Sequence, residues 1–287
     1  MSASAIERVL IVGTGLIGAS TGLALRSAGF SGRIDGWDTS SLERAAALEM
    51  GAVGGVAAER EVALELARVA DVVVLAVPVL AIKDWMKMLA PIMHSGQLVT
   101  DVGSTKLEIT ELGAKLFGGE TAEFLPGHPM AGKESGGAML GEPQLFHGAM
   151  WLFTPTTEQS TIATEWRKWV GFFGARTLDM DAARHDELCA WVSHLPQMLS
   201  TALAALLEDT FGDAPEIAAI GGRALRETTR LGASPYSMWR DVAMTNTGPI
   251  ADTLLALEQR LMHLRENLRT PELRDEFLLA NEFRKKH

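Results

Sequence analysis

The chain has 287 residues, 47% of them hydrophobic and 22% charged, and carries a formal charge of −10. That length can fill two domain cores, while the acidic balance and the lack of any Lys/Arg block exclude nucleic acid and anionic membranes as expected partners. A small anionic ligand held by local arginines stays compatible with it.

The opening MSASAIERVLIVG enters a strand without a basic n-region and long apolar stretch, so no signal peptide is expected. No segment approaches the roughly 18 apolar residues of a membrane span, and the cytoplasm is the expected location. In VLIVGTGLIGAS, a strand leads through Gly13-Thr14-Gly15-Leu16-Ile17-Gly18 into a helix. Gly13 permits a tight turn, Gly15 lets a pyrophosphate approach the backbone, and Gly18 allows helix and sheet to pack. The next strand, RIDGW, ends at Asp38, which either accepts the ribose hydroxyls of NAD and repels the 2′-phosphate of NADP, or caps the helix before TSSLERA. Arg44 on that helix leaves NADP disfavoured rather than excluded.

DVVVLAVPV ends its strand at Val77-Pro78, and LVTDVGSTK ends in Gly103-Ser104-Thr105-Lys106. Carboxyl ends of parallel strands form the ligand crevice, which sets Val77, Pro78 and Ser104 beside the cofactor; for Ser104 a plain helix N-cap is the competing reading. His128 follows a further short strand and heads the aperiodic, glycine-rich FLPGHPMAGKESGGAM, a placement that favours function over packing. AMWLF and ARTLDM are the last strand candidates. Residues 1–180 therefore read as a Rossmann-type, doubly wound, mostly parallel α/β domain, and residues 181–287 as an all-helical one.

A long helix is expected from about Asp181 to Asp209, kinked by Pro196. At about 100° per residue, Leu188, Val192, Leu195, Leu199, Leu203 and Leu206 form an apolar stripe. Asp186, Ser193, Gln197 and Ser200 line the opposite side, as a solvated face or as a cleft wall, with His194 about 80° off that line. The single cysteine, Cys189, lies on this helix as a packing residue; with no second cysteine there is no internal disulfide, which fits a reducing compartment. Arg223, Arg226 and Arg230 share one helical face, either solvated or able to bind a substrate carboxylate. Leu254, Leu257, Leu261, Leu264 and Leu268 form a seam suited to intramolecular packing or to a two-fold dimer.

Taken together and in order, VLIVGTGLIGAS, DVVVLAVPV, DVGSTK, PGHPMAGKESGG, HDELCAWVSHLPQ and ETTRLGASPYSMWRDV resemble the prephenate/arogenate dehydrogenase family of tyrosine biosynthesis over nearly the whole chain. The resemblance implies NAD-dependent oxidative decarboxylation of prephenate to 4-hydroxyphenylpyruvate, in a minimal two-domain form and a homodimer joined through the helical domain. It implies His128 as the catalytic histidine, neutral and accepting from the ring hydroxyl, and Ser104 as the serine that orients histidine, hydroxyl and nicotinamide. Arg230 matches the arginine that binds the side-chain carboxylate, in its own cleft or the neighbour's, and Glu134 the loop acid that pairs with it. Asp186, Ser193 and His194 border the substrate, and Trp239 is the aromatic wall. Gln197 stands where many prephenate-using members carry histidine, which opens arogenate, or both acids, as the alternative. A related β-hydroxyacid dehydrogenase needs a lysine on the first helix of the second domain, and His185 to Thr210 contains none. A non-catalytic cofactor sensor is the remaining alternative, and no metal is expected.

Overall fold

Short runs of two to five residues, most of them apolar, build a parallel sheet. Its strands are β1 (Arg8–Val12), β2 (Arg33–Trp37), β3 (Gly55–Val56), β4 (Val72–Leu75), β5 (Leu98–Asp101) and β6 (Glu123–Leu125), in the order β3-β2-β1-β4-β5-β6. The structure, a computed structural model, describes residues 6–133 and 135–286; Glu134 lies outside the described residues. Helices α1 (Leu16–Ser27), α2 (Ser41–Glu49), α3 (Arg60–Val69), α4 (Val79–Leu89) and α5 (Leu107–Leu116) connect the strands. Strand residues buried on both faces explain the unbroken Val/Leu/Ile runs. One face packs on α1, α2 and α6 (Thr161–Phe172), the other on α3, α4 and α5. The strand order reverses at β1, between β2 and β4, so the ligand crevice opens at the carboxyl ends of β1 and β4.

AMWLF and ARTLDM do not extend this sheet. They form β8 (Met150–Phe153) and β9 (Arg176–Asp179) of a separate three-stranded sheet with β7 (Gly127–Pro129), which pairs antiparallel to β8. Pro126, which has no backbone N–H to donate, separates β6 from β7. His128 is therefore the middle residue of a strand, opposite Leu152, rather than the head of a loop. The glycine-rich segment after it is anchored: Ala138 N–H donates to the Glu43 carboxylate at 2.5 Å and Glu142 N–H to Ser20 Oγ at 3.1 Å, which ties it across α1 and α2.

After β9 the described residues hold no strand. The elements are α7 (Ala182–Cys189), a stretch of π-helix (Ala190–His194), α8 (Leu195–Phe211), α9 (Pro215–Ile220), α10 (Arg223–Thr229), a 3-10 turn (Arg230–Ala233), α11 (Tyr236–Thr245), α12 (Thr247–Glu266) and α13 (Glu272–Lys286). Among the described residues no helix is long and apolar enough to cross a membrane.

The expected single kinked helix is thus two α-helices joined by a wider turn. Pro196 cannot donate back toward Val192, and its ring crowds that carbonyl. The backbone answers with π geometry, whose larger turn advances each residue by less than an α-helix does. This phase lag turns His194, rather than Ser193, fully inward: His194 is 1% exposed and Ser193 half-buried.

The faces of α8 also differ from a helix with an apolar inside. Gln197 and Ser200 are buried within the chain, so the polar line is neither solvated nor an open wall. Leu199 and Leu206 on α8, and Val192 in the π-helical stretch before it, are by contrast exposed at 39%, 63% and 64%. Of the seam on α12, Leu261 is also exposed, as is Leu268 just beyond it. The helical half thus leaves much of its apolar surface uncovered in one chain.

Candidate active site

The glycine turn lies where β1 meets α1. Gly13 has φ +93°, and a Cβ there would collide with the Ala76 carbonyl at the end of β4, so only glycine suits the position. A Cβ added at Gly15 would meet nothing within 4 Å. Gly15 is also the N-cap of α1, with no side-chain cap, which leaves the first amides of the helix to an anion. Thr14 Oγ1 is buried there without a partner among the described residues. Ile17 is half-buried, while Leu16 and Gly18 pack inward.

Asp38 follows β2 and accepts from Thr14 N–H and Ser40 N–H, each at 2.9 Å. Ser40, not Asp38, caps α2, accepting from Glu43 N–H at 3.3 Å. The Asp38 carboxylate is thus placed beside the glycine turn, with lone pairs left for two ribose hydroxyls. Arg44 donates to the Asp38 carbonyl. Val77 and Pro78 follow β4, with Pro78 at the N-cap of α4. Open helix amides, room at Gly15 and a carboxylate at the ribose end fit a nicotinamide dinucleotide without a 2′-phosphate.

Ser104 is half-buried between β5 and α5 and does not cap the helix, which starts at Leu107. The cap comes from 80 residues away. Asp186 on α7 accepts from Lys106 N–H at 2.7 Å through Oδ1 and from Leu107 N–H at 2.9 Å through Oδ2. A carboxylate at a helix N-terminus is stabilised by those amides and by the helix dipole. Asp186 Oδ1 also lies 2.8 Å from His185 Nδ1, and the Asp186 carbonyl accepts from Asn246 Nδ2 at 2.9 Å. Asn246, at the break between α11 and α12, also contacts His194 Nδ1 at 3.1 Å. His194 packs edge-on to Trp239, with ring centroids 5.9 Å apart. Two further bonds join the halves: Thr105 to Thr245 at 2.7 Å, and Leu80 N–H to Asp241 at 3.2 Å.

His128 is 8% exposed, and its Nδ1 lies 2.9 Å from His185 Nε2. Burial holds its pKa well below 6.5, helped by the neighbouring His185, Lys106 and His194, so the ring is neutral near neutral pH. Burial likewise lowers His194, to about 4. Lys106 is fully buried, pairs with Asp101 and donates to the Gly127 carbonyl at 2.8 Å. Burial pulls its pKa below the usual lysine value while the charge of Asp101 opposes that. Asp101 also accepts from Gly103 N–H at 2.8 Å and Gly127 N–H at 3.2 Å, so one ion pair fixes both the Ser104 turn and the strand bearing His128.

His128, His185 and Cys189 bring three potential metal ligands within 4.8 Å of one another. The thiol is pushed up to about 12, chiefly by burial, and the two imidazoles bond each other. Within the chain the three groups form a short run of hydrogen bonds, His128 to His185 and His185 to Cys189.

Gln197 does not extend toward an open space. Its Nε2 donates to Leu231 O at 2.7 Å and Thr201 Oγ1 at 3.1 Å, and its Oε1 accepts from Ser234 at 3.1 Å. Together with Ser200, which accepts from Gly232 N–H at 2.9 Å, it clamps the turn that begins at Arg230. Arg230 is exposed. Arg223 pairs with Glu227 at 2.6 Å and Arg226 donates to Gly221 O at 3.1 Å, so the arginine face is partly engaged locally. Nothing in the sequence marks Asp101, Lys106 or Asn246, and His185, at the start of the long helix, has a weaker claim there than His128.

This fold and site define a two-domain, nucleotide-binding oxidoreductase with an α/β cofactor domain and a helical second half. A family model described as prephenate dehydrogenase, nucleotide-binding domain, matches residues 21–170, and one described as prephenate dehydrogenase, dimerization domain, matches residues 181–281. The chain belongs to the prephenate dehydrogenase family. It is 31% identical to a prephenate dehydrogenase of Lactococcus lactis over 91% of this chain and 70% of that one. It is 28% identical to a cyclohexadienyl dehydrogenase of Zymomonas mobilis over 87% of this chain and 85% of that one. Prephenate dehydrogenase from A. aeolicus in complex with hydroxyphenyl propionate and NAD+ superposes with a TM-score of 0.86 at 27% identity, covering 100% of this chain and 97% of that one. Synechocystis arogenate dehydrogenase gives 0.77 at 28% identity, covering 97% and 99%.

Two outcomes are expected. Lys106→Ala leaves the Asp101 charge buried without its partner and should cost about 3–5 kcal/mol in urea unfolding; a loss below about 1 kcal/mol would contradict the pairing. His128 and His194 stay neutral in the folded chain but take up protons below about pH 6.5 when unfolded. Stability is thus complete above that pH and falls as pH drops from about 6.5 through 4, with a slope approaching two protons. A urea midpoint flat down to pH 5 would oppose this.

Proposed function

We propose that the chain catalyses NAD-dependent oxidative decarboxylation of a cyclohexadienyl acid and accepts both prephenate and arogenate, giving 4-hydroxyphenylpyruvate from the first and tyrosine from the second. The observation that carries this reading is His128, buried and held neutral beside the carboxyl ends of a sheet whose glycine turn and Asp38 suit NAD. Bound NAD supplies the hydride acceptor, and loss of carbon dioxide then leaves an aromatic ring. The protein's own work is positioning and the handling of one proton.

His128 accepts from the ring hydroxyl and takes its proton, and Ser104 orients that hydroxyl. Arg230 binds the side-chain carboxylate, with Glu134 as its partner before substrate arrives. Ser193, His194 and Trp239 border the ring, and Asp186 sets the frame they stand on. Gln197 supports the dual reading: its amide is neutral and already bonded to Leu231, Thr201 and Ser234, so at this position neither the keto group nor the amine is singled out. Prephenate alone is the narrower case.

The decisive assay compares kcat/KM for the two acids with NAD and NADP. The expected result is a ratio between the acids within about tenfold, and NAD preferred over NADP by about 100-fold, as unfavourable placement of a phosphate beside Asp38 implies. A ratio between the acids above about 1,000 removes the dual reading, and no turnover of either acid removes the enzyme reading in favour of a cofactor-binding sensor.

The working unit is a homodimer, with a second copy covering the apolar stripe on α8 and the α12 seam. Leu199→Glu combined with Leu261→Glu places charge on that surface and should shift the sedimenting species from twice 30.9 kDa to 30.9 kDa. A variant that remains dimeric would place the interface elsewhere.

A further inference from the structure

The hydrogen bonds behind His128 decide which of its nitrogens carries the proton. Asp186 is an acceptor only, and its oxygens already receive Lys106 N–H and Leu107 N–H. The proton in the 2.8 Å contact between Asp186 Oδ1 and His185 therefore belongs to His185 Nδ1. With its single proton on Nδ1, the His185 ring presents a lone pair at Nε2, which faces both His128 Nδ1 and the Cys189 thiol. In the 2.9 Å contact between the rings the proton thus belongs to His128 Nδ1, which leaves the His128 lone pair at Nε2.

We infer that His185 and Asp186 are positioning residues that hold His128 in its Nδ1–H tautomer, so that Nε2 is the atom that meets the substrate hydroxyl. The inference rests on the reading of His128 as the base. In the opposite tautomer Nε2 carries a hydrogen and cannot accept. Once Nε2 is protonated, Nδ1–H keeps its acceptor, and the Asp186 charge faces the cation through His185.

The charged and titratable groups around the pair are consistent with this. Lys106, on the β5–α5 connection, spends its charge on Asp101. Cys189 on α7 lies 3.6 Å from His185 Nε2 as a thiol, a weaker and more distant donor to the same lone pair than His128 Nδ1 at 2.9 Å, and it brings no negative charge. His194, from the π-helical stretch, is bonded to Asn246 and neutral.

The test uses the full-length protein. In the parent with NAD bound, histidine-ring 15N NMR should assign the proton of His128 to Nδ1. His185→Leu, which removes the acceptor, should lower kcat about 100-fold, with the KM for the ring substrate within about threefold and NAD affinity unchanged. His185→Gln, whose Oε1 can accept from His128 Nδ1, should stay within about tenfold of the parent. The acid limb of kcat/KM, set by His128 well below pH 6.5 in the parent, should not move upward in the Leu variant, because burial remains and the cation loses the acceptor of its Nδ1–H. A folded His185→Leu variant with kcat within about threefold of the parent overturns the inference, as does an Nε2–H tautomer in the parent. If the parent oxidises neither acid, the functional reading fails alone, because the tautomer measurement needs no turnover. If the Leu variant does not fold, the parent tautomer and the Gln variant still decide.

Discussion

One buried carboxylate holds this molecule in its working arrangement. Asp186 caps α5 from another helix, binds His185 through a side-chain oxygen and receives Asn246 on its main-chain carbonyl. A lone carboxylate at 2% exposure is costly, and its hydrogen bonds to amides at a helix N-terminus are what make the charged form tolerable there. Because those amides belong to the cofactor half and the carboxylate to the helical half, the same bonds that stabilise the charge also set the two halves in register. Thr105 with Thr245 and Leu80 with Asp241 reinforce the join at either side.

Around this join the interior trades charge for neutrality. The fully buried Lys106 has its counter-charge in Asp101, and two buried histidines are kept uncharged. A cation would have to find a partner in a region where the nearby acids are already bonded. The site therefore offers a neutral base in a dry setting, where a hydrogen bond is stronger than in water.

Much of the α/β half was legible because its signals are local. The glycine turn, the apolar runs of β1, β2, β4 and β5, and the acid ending β2 each lie within a dozen residues, and propensity and sterics act over that range. The split of the sheet was missed because β8 and β9 read as strands whichever sheet takes them; what decides is Pro126 and the packing of Trp151 and Phe153. His185 carries no signal of its own, since its partner His128 lies 57 residues away, and Lys106 carries none because its role depends on being buried against Asp101 and bonded to the Gly127 carbonyl. A constant step of about 100° per residue sets His194 beside the polar line, whereas the π-helical stretch turns it inward. Gln197 and Ser200 were placed correctly on one face, but what covers that face is the turn after α10, which no periodicity of α8 describes.

The π-helical stretch at Ala190–His194 has a consequence for how this helix tolerates change. It acts as a phase adjuster between two segments that face different neighbours, His185 and Asp186 toward α5 and β7, Gln197 and Ser200 toward the turn at Arg230. A deletion inside it that restored regular α geometry would rotate α8 relative to α7 by up to about 100°. That rotation would bring leucines to the positions where the polar clamps now sit. The length of this stretch is therefore under tighter constraint than the identity of its residues, and single-residue gaps should be rarer here than in the helices on either side.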